Sequence, residues 1–393
     1  MQSGVSTSQT HFQALDSWRG ISALMVVLFH FTALGHLYHL PLVRHSYLFV
    51  DFFFVLSGFV ITHATLSKSL ESFSLSGFVA KRVARIYPLH LVMLLAFVAA
   101  EALNLLLAST LNFKTGNPPF AAGGYRSLET IPEHLFLLQA LNVSDRLTWN
   151  FPSWSISAEF WTYLVLAGLM IACSRRLTLA LAAVGLSSAV VVAALSPRGI
   201  ETTFDLGFLR CLFGFSIGHL TYRLYQATPK PPVSKLGMLE LVSVVAVIVF
   251  VSNYADGLPS MLAPVVFGCV VYVFSFERGP ISRILVTSIP RRLGQISYSI
   301  YMVHAFIITM IMTAAVVAQK VLGRALIVTL DDGAGPTKVI GNLNPFAIDA
   351  LMVVYLAVVV MLSCLTWRYI EVPGQKLILA WSSRVRRDRR AYY

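Results

Sequence analysis

The sequence predicts an all-α polytopic integral membrane protein with about ten transmembrane helices. Three observations carry that expectation. Hydrophobic residues make up 56% of the 393 and charged residues only 12%, with a mean hydropathy of +0.72; a soluble domain carries about 25% charged residues. Apolar runs recur at the length that a bilayer core demands, roughly 20 residues of helix. Lysine and arginine are divided unevenly between alternate connections, as they are in membrane proteins of fixed orientation. This composition excludes an ordinary soluble enzyme, a disordered chain and a small disulfide-stapled domain.

The apolar runs begin near Arg19, Leu48, Pro88, Ser155, Leu177, Asp205, Leu236, Leu258, Gly294 and Pro345, and the fifth, seventh and eighth are short or interrupted. Leu135–Leu141 is too short to span and is expected to form a re-entrant or interfacial helix. The first 18 residues are polar, and the run after them is long and holds a histidine, so no cleavable signal peptide is expected. With the N-terminus inside, 21 of the 30 basic residues fall on the cytoplasmic side, 8 outside and Arg210 within a span. Both termini are therefore placed in the cytoplasm. The expected organisation is a cytoplasmic tail over 1–18, a membrane domain over 19–371 and a basic cytoplasmic tail over 372–393. The tail's RVRRDRRAYY end is suited to anionic lipid.

The net charge of +12 then reflects topology rather than nucleic-acid binding. The long outside loops cover about Thr110–Trp154 and about Lys320–Asn344, estimates from the span lengths. Their glycine clusters, Gly123–Gly124 and Gly333–Gly335, read as turns. No internal repeat and no Walker-type phosphate loop is visible. Cys173, Cys211, Cys269 and Cys364 lie in or beside apolar runs without the paired spacing of a metal site, and no metal or resident cofactor is expected.

Ionisable groups inside spans are expensive, so each is a functional candidate. In the first run, LDSWRGISALMVVLFH, Arg19 and His30 are eleven residues apart. That spacing puts them about 20° from eclipsed on one helix face and about 16 Å apart along the axis. A cation at the cytoplasmic mouth suits an anionic ligand, and a buried neutral imidazole suits general-base work on a hydroxyl. The plainer alternatives are a topology anchor and an interhelix hydrogen bond. The second run, VDFFFVLSGFVI, puts Asp51 near its outer end, where it can orient an imidazole, hold a sugar hydroxyl or simply favour the helix dipole. Ser57–Gly58 suits close helix packing. Lys81, Arg82 and Arg85 follow on the inside, a phosphate-binding cluster or an ordinary cytoplasmic loop.

The fourth run opens WSISAEFWTY. Trp154, Trp161 and Tyr163 fit an interfacial belt, and Glu159 is a sugar-binding carboxylate or the partner of Arg210 in the sixth run. The ninth, LGQISYSIYMVH, brings His304 to about 15 Å depth, level with His30. In it Ser297 and Tyr301 are related by i, i+4, as are Tyr298 and Met302.

Taken together these residues resemble the acyltransferase-3 membrane acyltransferases, which O-acylate bacterial surface carbohydrates and related acceptors. The matching pieces are Arg19 and His30 with ten residues between, VDFFFVLSGFVI from Val50, KRVARIYP from Lys81, WSISAEFWTY from Trp154, LGQISYSIYMVH from Leu293 and YIEVPGQK from Tyr369. They run in family order over essentially the whole chain.

The resemblance implies a ten-span bundle in the bacterial cytoplasmic membrane that uses cytoplasmic acyl-CoA as co-substrate, with acetyl the default acyl group. The acceptor is a carbohydrate or glycoconjugate on the far side. It also implies that His30 is catalytic and Arg19 essential, and that the basic segment of Lys81, Arg82 and Arg85 binds the donor; Asp51 is counted with the catalytic pair on the reading of the second run. Ser57, Tyr298 and His304 are expected on the donor side, and Trp154, Glu159 and Arg210 on the acceptor side. Lys81 departs from the family's usual arginine and binds phosphate without bidentate geometry. IEVPGQK lacks the Arg–Pro pair that many relatives carry after the glutamate, which leaves Glu371 without a role. No soluble esterase-like domain follows the last span, so any release or handover step done by such a domain is expected to be absent or to lie on another protein. Direct transfer and a covalent acyl-histidine both remain open, as does oligomeric state. The rival from another class is a proton-coupled transporter or flippase with buried histidines; release of CoA separates the two.

Overall fold

The computed structural model describes residues 11–66, 73–110, 118–331 and 336–391. Every apolar run is a helix. In chain order these are α1 (Gln13–His30), α2 (Phe49–Leu66), α3 (Leu75–Thr110), α4 (Trp154–Ala172), α5 (Leu177–Leu195), α6 (Gly207–Ala227), α7 (Val233–Asn253), α8 (Ala263–Phe274), α9 (Ser297–Leu322) and α10 (Pro345–Thr366). Among the described residues, seven helices are long and apolar enough to cross a membrane. α1 and α6 have the length but a more polar composition, and α8 with its preceding turn covers only Leu258–Phe274. The protein is an all-α polytopic membrane protein.

Small residues set the closest approaches. A methyl group added at Gly58 of α2 would lie 2.0 Å from the Phe215 carbonyl oxygen of α6, and one at Gly218 would lie 1.9 Å from that of Val55. α2 and α6 therefore meet backbone to backbone, the arrangement that small residues permit in lipid. Gly20 of α1 meets Gly294, just ahead of α9, in the same way, 2.7 Å from its nitrogen. This contact seats α1 beside α9.

The outer connection before α4 does not stay on the surface. It descends into the bundle with little helix, and side chains satisfy its backbone, as irregular structure at membrane depth requires. Tyr87 Oη donates to Leu135 O at 3.0 Å and His90 Nε2 to His134 O at 2.9 Å. Ser157 Oγ and Trp161 Nε1 both donate to Leu137 O, at 2.6 and 2.7 Å, and Asn150 Nδ2 donates to Met302 O at 3.1 Å. Leu135–Leu141 is thus embedded, though the short helix Ile131–Leu135 ends where the apolar patch begins. α4 consequently starts inside the bundle, not at its surface.

Beyond α9, β1 (Ile327–Asp331) and β2 (Pro336–Ile340) form an antiparallel hairpin with Val328 opposite Val339. Ile340 bonds through its N–H to Thr32 O and through its O to Leu34 N, which docks the hairpin over the end of α1. Gly123 has φ +68°, the turn geometry expected of it. The expected turn at Gly333–Gly335 lies outside the described residues.

Two expected boundaries shift. α1 begins at Gln13, inside the segment taken as a tail; residues 1–10 lie outside the described ones. At the other end the chain continues from α10 through a π-helical turn, Trp367–Glu371, into α11 (Val372–Ala391). α11 packs against α3, with Gly374 over Pro88. Residue 372 is therefore the middle of a helix and not the start of a free tail. Most side chains of the RVRRDRRAYY end lie outside the described residues.

Candidate active site

His30 closes α1, and α9 brings His304 to it. His304 Nε2 lies 3.1 Å from His30 Nδ1, and the rings stack with centroids 5.0 Å apart. The hydrogen bonds assign the protons. His304 Nδ1 contacts the Ile300 carbonyl at 3.3 Å, and a carbonyl only accepts, so this nitrogen carries the proton. His304 Nε2 is then the acceptor and His30 Nδ1 the donor, which leaves the lone pair of His30 on Nε2. Phe29 and Phe151 pack edge-on against the His30 ring, both with centroids 4.9 Å away.

His30 lines a cavity of about 1140 Å³ at the end of the bundle where α1 ends, the outer end in the orientation expected from the charge bias. The cavity walls carry Arg44, Arg198 and Lys338 together with Glu201 and Asp256, and aromatic rings from Phe120 and Tyr125. Arg126 holds Glu101 at 2.7 Å on one side. Mixed charge and exposed rings suit a polyhydroxylated molecule with apolar faces.

A second cavity, of about 500 Å³, opens from the end of the bundle where α1 begins. Arg19, Lys81, Arg82 and Arg85 all line it, as do Ser57 and Tyr298. The donor-side residues expected from sequence, other than His304, are therefore brought together. Arg19 is tied to Asp16 at 3.2 Å. Arg85 is held by Glu371, which also accepts from Ser299 Oγ at 2.8 Å. The Arg82 guanidinium lies over the rings of Phe78 and Tyr163, at 5.7 and 5.4 Å, and its buried Nε has no hydrogen-bond partner. Ser57 Oγ is 2.7 Å from Tyr163 Oη, which donates to Glu159. Tyr298 Oη donates to Ile86 O at 2.6 Å, and Ser297 Oγ is buried without a partner.

The two cavities end back to back. Tyr301 closes the inner one, its Oη 2.7 Å from Ser155 Oγ and 3.0 Å from Pro152 O. Its ring lies against His304, with centroids 5.8 Å apart. A run of ring contacts, Tyr301 to His304 and His304 to His30, links the inner cavity to the outer one.

The expected acceptor-side group is not assembled at the outer cavity. Arg210 does not pair with Glu159. It is bidentate to Asp51, at 3.0 and 2.6 Å, and donates to Thr202 O and Tyr47 O as well. Both partners are wholly buried, and neither lines a described cavity. Asp51 is thus occupied by a guanidinium and does not orient His30. Trp154 packs beneath Arg210, 5.6 Å from ring centroid to guanidinium, and against Phe54. Glu159 lines the inner cavity instead. The reason is the buried start of α4, because a residue one turn into this helix is already in the inner half of the bundle.

Sequence reasoning assigned no site role to Tyr301, Ser155 and Glu371, and it read Tyr163 as a residue of the interfacial belt. Tyr301 was visible only through its i, i+4 relation to Ser297. Glu371 carried no periodic signal, because the π turn that aims it interrupts the helix.

The acyltransferase-3 family model, described as an acyltransferase domain, matches residues 12–368. Over 90 residues the chain is 46% identical to protein 2 in the picA locus of Rhizobium radiobacter, covering 23% of this chain and 44% of that protein. Over 117 residues it is 32% identical to the acyltransferase MdmB of Streptomyces mycarofaciens, covering 29% of this chain and 26% of that protein. The chain thus spans less than half the length of either curated relative. No solved structure matches it.

Proposed function

The chain belongs to the acyltransferase-3 family, and on that premise we propose that it is a multi-pass O-acyltransferase of the bacterial cytoplasmic membrane. It moves an acyl group, acetyl in the simplest case, from cytoplasmic acyl-CoA to a hydroxyl of an extracytoplasmic carbohydrate or glycoconjugate. The observation that carries this reading is the pair of opposed cavities meeting at Tyr301, His304 and His30. One is small and cationic at its mouth, and the other is large, of mixed charge and rimmed by aromatic rings. A transfer enzyme with substrates on opposite sides needs this division.

In this mechanism the phosphates of CoA meet Arg19, Lys81 and Arg82, the last with a buried donor still unpaired. The pantetheine arm lies along the inner cavity and brings the thioester to Tyr301. The acceptor hydroxyl comes from the outer cavity to His30. Nε2 of His30 takes the hydroxyl proton as the oxygen attacks the thioester carbonyl. The C–O bond forms, the C–S bond breaks, and the proton passes from His30 to the departing thiolate. His304 holds the reactive tautomer, as the orienting member of a catalytic triad does. The hydroxyls of Tyr301 and Ser155, which both donate to Pro152 O at rest, turn to the carbonyl oxygen as it gains charge.

Isothermal titration of acetyl-CoA into the purified protein in detergent tests the donor assignment. Saturable binding by the wild type, weakened at least about tenfold by Arg82→Ala, is the expected result; loss of a charge-assisted phosphate contact has that size. A folded wild type that does not bind acetyl-CoA would overturn it and favour the transporter reading, in which no CoA is released.

A further inference from the structure

Along one face of α4, Ser155, Glu159 and Tyr163 recur every four residues, about 6 Å apart on the helix axis. All three line the inner cavity. Ser155 touches Tyr301 at the closed end, and Tyr163 carries Arg82 on its ring. Glu159 therefore stands one turn deeper than the cations, between them and the point of transfer. Tyr163 fixes it by donating to its carboxylate. Among the described residues no ion pair reaches it. Arg85 is committed to Glu371, Arg19 to Asp16 and Arg210 to Asp51, while Arg82 lies over the ring of Tyr163 and forms no ion pair with Glu159. Past Glu159 the walls are Val50, Phe53, Ser155, Ile156 and Tyr301, with no charged side chain among them.

We propose that this cavity admits only acyl groups without a charge of their own, and that Glu159 is the specificity-determining residue that excludes acidic ones. The inference rests on the docking of acyl-CoA in this cavity. The charge order along the path is cationic mouth, a carboxylate outside any ion pair, uncharged end. The phosphates of any CoA thioester stop at the mouth. The tail of a dicarboxylic half-ester, such as succinyl or malonyl, must lose its hydration among apolar walls. There it faces a like charge in a poorly screened site. Acetyl, propionyl and butyryl groups meet neither cost.

Butyryl and succinyl groups share a four-carbon chain and differ by a terminal methyl or carboxylate, so they separate charge from size. The experiment is isothermal titration of acetyl-CoA, butyryl-CoA and succinyl-CoA into the full-length protein in lipid nanodiscs. The expected result is acetyl and butyryl affinities within about threefold of each other and succinyl weaker than butyryl by at least about tenfold, a ratio of the size that an unpaired like charge imposes. Glu159→Gln, which keeps an acceptor for Tyr163, is expected to narrow the succinyl-to-butyryl ratio to under about threefold. Succinyl-CoA binding as tightly as butyryl-CoA would overturn the proposal without touching the acyl-CoA reading. Butyryl-CoA as weak as succinyl-CoA would also overturn it, because size would then be the filter. Failure of all three to bind would instead overturn the donor assignment beneath it.

Discussion

His304 Nε2 accepts a hydrogen bond from His30 Nδ1 at 3.1 Å, across the contact between α9 and α1. The bond makes the two imidazoles one unit, anchored on the Ile300 carbonyl at one end and carrying its free lone pair on His30 at the other. The outer cavity meets this unit at His30. General bases positioned in this way contribute about 10²–10⁴-fold, so His30→Ala is expected to lower kcat by that factor with expression and donor binding retained. Turnover near that of the wild type would remove His30 from the mechanism.

His304 acts through His30, so its variants are expected to move kcat and not the KM for acyl-CoA. His304→Leu leaves the His30 Nδ1 proton unpaired and frees the ring to take the other tautomer. His304→Gln still offers an acceptor oxygen and is expected to recover part of the loss. Steady-state kinetics of both variants decide the matter. Equal losses in Leu and Gln would mean that the ring only fills space.

The buried pair of Asp51 and Arg210 is expected to serve stability. Removing one member of such a pair strands the other charge, at a cost of about 3–5 kcal/mol. Asp51→Leu and Arg210→Met should each lower the melting temperature sharply. The double variant Asp51→Leu/Arg210→Met should regain part of it; Thr202 O and Tyr47 O lose their donor, so recovery stays incomplete. Differential scanning calorimetry in detergent reads this cycle, and additive losses would show that the two residues are uncoupled.

Arg82 and Arg85 sit one turn apart yet are predicted to fail differently. Arg82 is held only by rings, so Arg82→Ala should weaken acyl-CoA binding with little change in melting temperature. Arg85→Ala also strands the buried Glu371 and should destabilise the fold, with Glu371→Gln restoring stability in the double variant. Paired thermal melts and titrations separate the two, and an Arg85→Ala protein as stable as the wild type would contradict the role given to Glu371.

Much of this architecture is legible in the sequence because hydropathy and charge bias act locally. Every apolar run is a helix, and the equal depth assigned to His30 and His304 agrees with their contact. Their facing was not legible, because it depends on how Gly20 and Gly294 let α1 and α9 approach. The start of α4 was misread for a similar reason. Gln139, Thr148 and Asn150 look like surface loop residues, yet they are buried, the first two bonded to His134 and the third to Met302 O. Glu159 moved to the inner cavity as a result. Arg210 had two carboxylates to choose from, and only packing selects Asp51. Glu371 gains its place from a π turn, which no helical periodicity announces.

The central claim is transfer across the membrane at His30. Its most direct test uses inside-out vesicles of native membranes supplied with acetyl-CoA labelled in the acetyl group. The account predicts that label accumulates in acceptor on the lumenal side, with one CoA released outside for each acetyl moved, and that vesicles carrying His30→Ala do neither. Wild-type vesicles that move a glycoconjugate without releasing CoA, or His30→Ala vesicles that label their acceptor at the wild-type rate, would contradict it.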